Sequence, residues 1–180
     1  VALLTPTRCL VLLLVWAPPA GAQSKAIDEY RIKAAFLYNF AKFVEWPAGS
    51  FKNAADPIAI CVLGNPFGGR LEDTVNGKQI DERRLIVREI SDVAEAAGCH
   101  ILFVASEKKR TADLLGHVRA RPVLTVGEAA NFAASGGVIG FKLESDRVRL
   151  EINLFAADRA RLRISSKLLG LAAIVKEEKK

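Results

Sequence analysis

Three features of the sequence predict an α/β fold, organised as a single three-layer domain with a mostly parallel, doubly wound sheet and a C-terminal antiparallel hairpin. Short, almost wholly apolar runs at residues 57–64 and 99–105 suit strands covered on both faces. Helical patterns alternate with such runs at βαβ spacing, which calls for right-handed crossovers and a parallel sheet. The last third breaks that rhythm: residues 138–143 and 148–152 flank Glu144-Ser-Asp-Arg147 as an antiparallel hairpin.

Taken in order, residues 1–22 have the form of an export signal. Arg8 precedes the apolar run Cys9 to Trp16, and Ala20-Gly-Ala22 suits signal peptidase, so the mature chain is expected to begin at Gln23. The run is far shorter than the roughly 20 residues that a membrane helix needs. Residues 29–47 then give a helix with two apolar stripes, Phe36/Phe40/Phe43 and Ala34/Leu37/Ala41/Val44. Together they cover roughly 200° of the circumference, against the roughly 100° of an ordinary surface helix. Either the helix is wedged into its own domain, or it lends the stripe of Phe36, Phe40 and Phe43 to a partner chain, which leaves a homodimer open. Arg31, Tyr38, Lys42 and Glu45 form the wet side, and Pro47 ends the helix, with Trp46 folding back as a lid on its end.

The first core strand turns through Gly64-Asn-Pro-Phe-Gly-Gly69 into a helix near residues 70–75. Asn76-Gly77 is a turn, and residues 84–90 form a second strand. Ser91 caps a short helix to residue 97, residues 99–105 are the third strand, and a helix from Ser106 carries Leu114, Leu115 and Val118. Residues 122–126 are the fourth strand and Phe132 closes a short helix. In the second hairpin strand Val148, Leu150 and Ile152 face one way, while Arg147, Arg149, Glu151 and Asn153 face the other. Helical segments follow at residues 154–162 and from Ser165 through Ala172, with residues 176–180 a charged tail.

After removal of residues 1–22 about 158 residues remain, enough for one domain with a sizeable core. The formal charge of the whole chain is +6, and losing Arg8 leaves about +5. Arginines are spread among acids with no aromatic platform beside them, which argues against nucleic acid as a partner.

Four blocks carry a resemblance: Tyr30-Arg-Ile-Lys-Ala-Ala-Phe-Leu-Tyr-Asn-Phe-Ala-Lys-Phe-Val-Glu-Trp-Pro47, Ile58-Ala-Ile-Cys-Val-Leu-Gly64, Gly98-Cys-His-Ile-Leu-Phe-Val104, and a set running from Pro122-Val-Leu-Thr-Val126 through Phe132, Gly136-Gly137 and Glu151-Ile-Asn153 to Ile164-Ser-Ser-Lys-Leu-Leu169. On these the chain resembles the YfiR-like family of small periplasmic proteins, over residues 23–175. One departure is Gly140, where family members often carry Asn. The resemblance implies a periplasmic protein that restrains a membrane-anchored diguanylate cyclase through its periplasmic part and so lowers cyclic di-GMP. An outer-membrane lipoprotein is a second candidate partner.

The mature chain has two cysteines, Cys61 and Cys99, each in or beside a core strand. In an oxidising compartment this favours a disulfide over two buried thiols, and the resemblance strengthens that expectation. Gly64 to Gly69 lacks phosphate-loop spacing, and His100 and His117 have no metal-ligand partners at a suitable spacing. Ser165-Ser166 has no nucleophile elbow and is taken as a helix start. No enzyme constellation emerges, and no cofactor is expected. The main expectation is a protein-binding regulator whose surface joins Arg147, Arg149, Glu151 and Asn153 to Arg163 and Ser165. The alternative is a periplasmic small-molecule sensor with its ligand near Gly64 to Gly69 and Phe132.

Overall fold

The structure is a computed structural model that describes residues 20–105 and 108–176. The export-signal reading of residues 1–19 and most of the charged tail therefore lie outside the described residues. An eight-stranded sheet forms the middle layer. It is built from β2 (Ile58–Leu63), β3 (Gln79–Ile80), β4 (Arg83–Ile90), β5 (Ile101–Val104), β6 (Leu124–Gly127), β7 (Ile139–Glu144), β8 (Arg147–Ile152) and β10 (Ala172–Ile174), in the order β10-β8-β7-β6-β5-β2-β4-β3. Only β3–β4 and β7–β8 pair antiparallel. A separate two-stranded ribbon joins β1 (Val44–Glu45) to β9 (Arg163–Ile164). The α/β architecture with a mostly parallel sheet and a late hairpin is as the sequence predicts.

Strand alternation divides the core. Ile58, Ile60, Val62, Ile101, Phe103, Leu124, Val126, Ile139, Phe141, Leu150 and Ile152 face a layer made by α1 (Ala20–Phe43), α2 (Arg70–Val75), α4 (Leu154–Arg159) and α5 (Ser166–Leu169). Cys61, Leu63, Leu102 and Val104 face α3 (Lys108–Val118) and the 3₁₀ turn Val93–Ala96. Both hairpins close through two residues with positive φ, Asp81 and Glu82 in one, Ser145 and Asp146 in the other. That backbone matches the twist of paired strands.

Several local expectations are corrected. The first helix stops at Phe43, because Val44 and Glu45 leave it to pair with Ile164 and Arg163. Trp46 folds over the start of β5, where its Nε1 donates to the His100 carbonyl at 3.2 Å, and does not cap the helix. Asp92, not Ser91, caps the 3₁₀ turn, in a capping box with Glu95. Phe132 lies in a run of turns, its ring against Gly127 and Gly137, where any Cβ would overlap it. The last helix does not run to Ala172. Gly170 closes it after one turn, and Ala172 to Ile174 become an edge strand parallel to β8, satisfying backbone groups there that a longer helix would leave bare.

Candidate functional site

Cys61 and Cys99 are joined by a disulfide, their Cα atoms 5.7 Å apart, and both are buried. The bond spans 38 positions and ties the segment before β5 to the centre of β2. It lies within the core, away from the surface proposed for partners.

On β7 and β8 the residues alternating with Phe141, Leu150 and Ile152 point away from the helical layer of α1. This face carries Lys142, Glu144, Arg147, Arg149 and Glu151, with Glu144 opposite Arg147 and Lys142 opposite Arg149. The Lys142 ammonium lies 2.8 Å from Glu144 and 3.7 Å from Glu151. The hydrogen bond and charge of Glu144 raise the Lys142 pKa, and Lys142 in turn lowers that of Glu144. Gly140 sits within this strand pair opposite Glu151, and a Cβ there would touch Ala133 and the Cβ of Glu151.

Asn153 does not belong to this surface. It is 0% exposed, since β8 ends at Ile152 and Asn153 becomes the N-cap of α4. Its side-chain oxygen accepts from the Ala156 N–H at 3.0 Å, and its amide donates to the Ala133 carbonyl at 2.8 Å. Arg163 and Ser165 are not joined to the strand face either. Arg163 lies on β9, flanked by Leu162 and Ile164, which pack into the layer of α1 on the other side of the sheet. Its guanidinium faces Glu45 at 3.9 Å, both side chains being largely exposed. Ser165 caps α5 by accepting from the Lys167 N–H.

The Phe36, Phe40 and Phe43 stripe is also divided. Phe40 is wholly buried and stacks between Phe36 and Phe141, with centroids 6.0 Å and 5.9 Å away, so it is a core residue; Phe36 and Phe43 are half-buried. In the region expected to hold a ligand, Gly64, Gly68 and Gly69 are exposed. Phe67 lies edge-on to Tyr30 and Phe103, and Phe132 is buried.

Sequence reasoning missed a cluster at the carboxyl ends of β6 and β7. Lys33, 4% exposed, is held between Glu29 at 2.5 Å and Glu128, with Tyr30 donating to Glu128 at 2.9 Å. Burial and the Glu128 charge push the Tyr30 hydroxyl above its ordinary range. The spacing of Glu29 and Lys33, one helical turn apart on the flank of the apolar arc, was the available signal. Glu128, 95 positions away from Lys33, offered none.

Among the described residues no group of three metal-capable side chains converges, and no helix is long and apolar enough to cross a membrane. A family model described as YfiR/HmsC-like matches residues 30–173. No curated protein matches the chain. A solved structure that it resembles is a conserved domain protein from Vibrio cholerae, at 9% identity and a TM-score of 0.53, over 82% of this chain and 60% of that one. This likeness concerns the fold alone, and the chain spans 60% of that protein's length.

Proposed function

Because the chain belongs to the YfiR/HmsC-like family, matched over residues 30–173, we propose that it is a non-enzymatic periplasmic regulator that binds the periplasmic part of an inner-membrane diguanylate cyclase and holds that enzyme inactive. Residues 1–22 direct export and residues 23–175 form the working domain. The family match carries this reading, and the buried Cys61–Cys99 bond supports an oxidising compartment.

A protein outside the cytoplasm changes cyclic di-GMP inside it only by favouring one state of something that spans the membrane. The contact we assign is the strand face with Arg147, Arg149 and Glu151, where both arginines are exposed. Its cross-strand charges suit a partner segment of alternating charge, and an outer-membrane lipoprotein competing for this protein would release the cyclase. Deletion of the gene is expected to raise cyclic di-GMP and surface attachment, and deletion of the cyclase as well to abolish the rise. Unchanged cyclic di-GMP in the single deletion, in cells that express the protein, overturns the proposal.

A further inference from the structure

Residues 29–33 of α1 lie over the carboxyl ends of β6 and β7, where a cleft of about 260 Å³ opens. Glu29, Tyr30, Lys33 and Glu128 form one wall and Phe141 and Val148 the other, with Leu143, 53% exposed, and Lys142, whose ammonium pairs with Glu144, at the rim. Open α/β sheets bind ligands at this end of their strands. The chemistry of the wall narrows what could enter.

A buried ammonium is costly unless paired, and one carboxylate neutralises it. Lys33 has two, so among the described residues the group Glu29, Lys33 and Glu128 carries one negative charge in surplus, while the Lys142 ammonium at the rim is taken up by Glu144. Glu128 already accepts from both Tyr30 and Lys33. Glu29 meets Lys33 through Oε1 and keeps a quarter of its side chain exposed at the cleft. An anion would face two carboxylates here. A hard divalent ion would need about six oxygen ligands around a space that the Lys33 ammonium already occupies. The opposite wall offers aromatic and aliphatic carbon.

We infer that this cleft binds a small organic cation, a primary amine on an apolar body, with the ammonium against Glu29 and the body on Phe141, Val148 and Leu143. The site meets the strand face only at Lys142 and uses none of Arg147, Arg149 and Glu151, because Phe141 and Val148 project from the other side of the sheet. It is therefore independent of the cyclase reading, and either can fail alone.

The test titrates the purified mature protein with benzylamine, and with benzyl alcohol and benzoate as neutral and anionic counterparts. Binding is followed by calorimetry and by amide chemical shifts. Saturable benzylamine binding is expected at millimolar concentrations or below, with shifts centred on residues 29–33, 128 and 141–148 and no binding of the other two probes. Glu29→Gln, at a partly exposed position, should keep a cooperative melt and weaken benzylamine about tenfold or more, as loss of a charge-assisted hydrogen bond requires. Val148→Trp, which fills the cleft without touching its charges, should abolish binding. Benzoate binding as well as benzylamine, shifts centred elsewhere, unchanged affinity in a folded Glu29→Gln protein, or no saturable amine binding would each overturn the inference.

Discussion

The imidazole of His100 lies flat on the ring of Phe51, with centroids 4.3 Å apart and planes 8° from parallel. Its Nδ1 accepts from the Ala59 N–H at 3.1 Å, which leaves Nε2 to donate to the Ser50 carbonyl at 3.2 Å. One neutral tautomer thus fastens the loop after Trp46 to the starts of β2 and β5. Arg83, over the other neighbour Phe51, also donates to the carbonyls of Asn53 and Asp56.

This arrangement predicts loss of stability in acid. Burial is the main force holding the His100 pKa below its usual 6.5; the nearby Arg83 charge adds to it, while the Ser50 contact and Asp56 oppose it. The unfolded chain therefore binds the proton first. The contribution is complete above about 6.5 and is lost as pH falls through the lower folded value. Thermal melts between pH 7.5 and 4.5 should show this fall, and His100→Gln, lacking the titration, should show a shallower one from a lower starting point. Parallel pH profiles for the two proteins would rule out the assignment.

The Cys61–Cys99 bond predicts a different response. Closing 38 positions limits the unfolded chain, worth roughly 4 kcal/mol in the chain-entropy picture. Cys99→Ser should lose about 2–5 kcal/mol in denaturant titration. Native protein should yield no labelled thiol until it is both reduced and unfolded, since both sulfurs are buried.

The aromatic stripe of α1 should divide by position. Phe40→Asp places a carboxylate between Phe36 and Phe141 and should prevent folding, a loss above the roughly 3–5 kcal/mol of a buried Phe→Ala change. Phe36→Asp and Phe43→Asp, at half-buried positions, should leave a cooperative melt, so there the change can report on self-association. A folded Phe40→Asp protein would mean that the stripe is an interface after all.

How much of this was legible depended on whether a residue's role was local. The apolar runs of β2 and β5 and the alternation of β8 give the sheet, because a strand buried on both faces and one buried on a single face differ in pattern. Asn153 continues the polar alternation of β8, which places it on the charged face. Its actual role is set by Ala133, 20 positions earlier. Lys33 likewise looks like a stray charge on an apolar helix until β6 brings Glu128 beside it. Strand β10 was hidden because two alanines and an isoleucine suit a helix as well as an edge strand, and only the unfilled edge of β8 decides.

Asn153 itself is testable. Asn153→Ala removes a cap worth about 1 kcal/mol and one of the two donors to the Ala133 carbonyl, which keeps the Gly136 N–H, at about a further 0.5–1.5 kcal/mol. Asn153→Asp keeps the cap but sets a carboxylate against that carbonyl. Both should therefore destabilise in chemical denaturation, and cyclase binding should change only in step with the folded fraction. Weakened binding by a fully folded Asn153→Ala protein would return the residue to the partner surface.

The final prediction separates the two charged regions that the sheet holds apart. Glu151 lies on the strand face, close to Lys142, whereas Arg163 lies beside Glu45 in the layer of α1. A compact segment of the cyclase cannot meet both at once without wrapping the sheet edge at β10. Glu151→Lys puts a second cation beside Lys142 and reverses the charge offered to the partner, so it should weaken the complex several-fold and raise cyclic di-GMP towards the deletion level. Arg163→Glu changes an exposed pair that contributes at most about 1 kcal/mol to stability, and it should leave binding intact if the strand face is the contact. Both variants should melt as the parent does, and affinity is read by calorimetry with the cyclase's periplasmic segment. Loss of binding in Arg163→Glu alone would move the contact to the ribbon of β1 and β9, and loss in both would require a partner that folds around the edge strand.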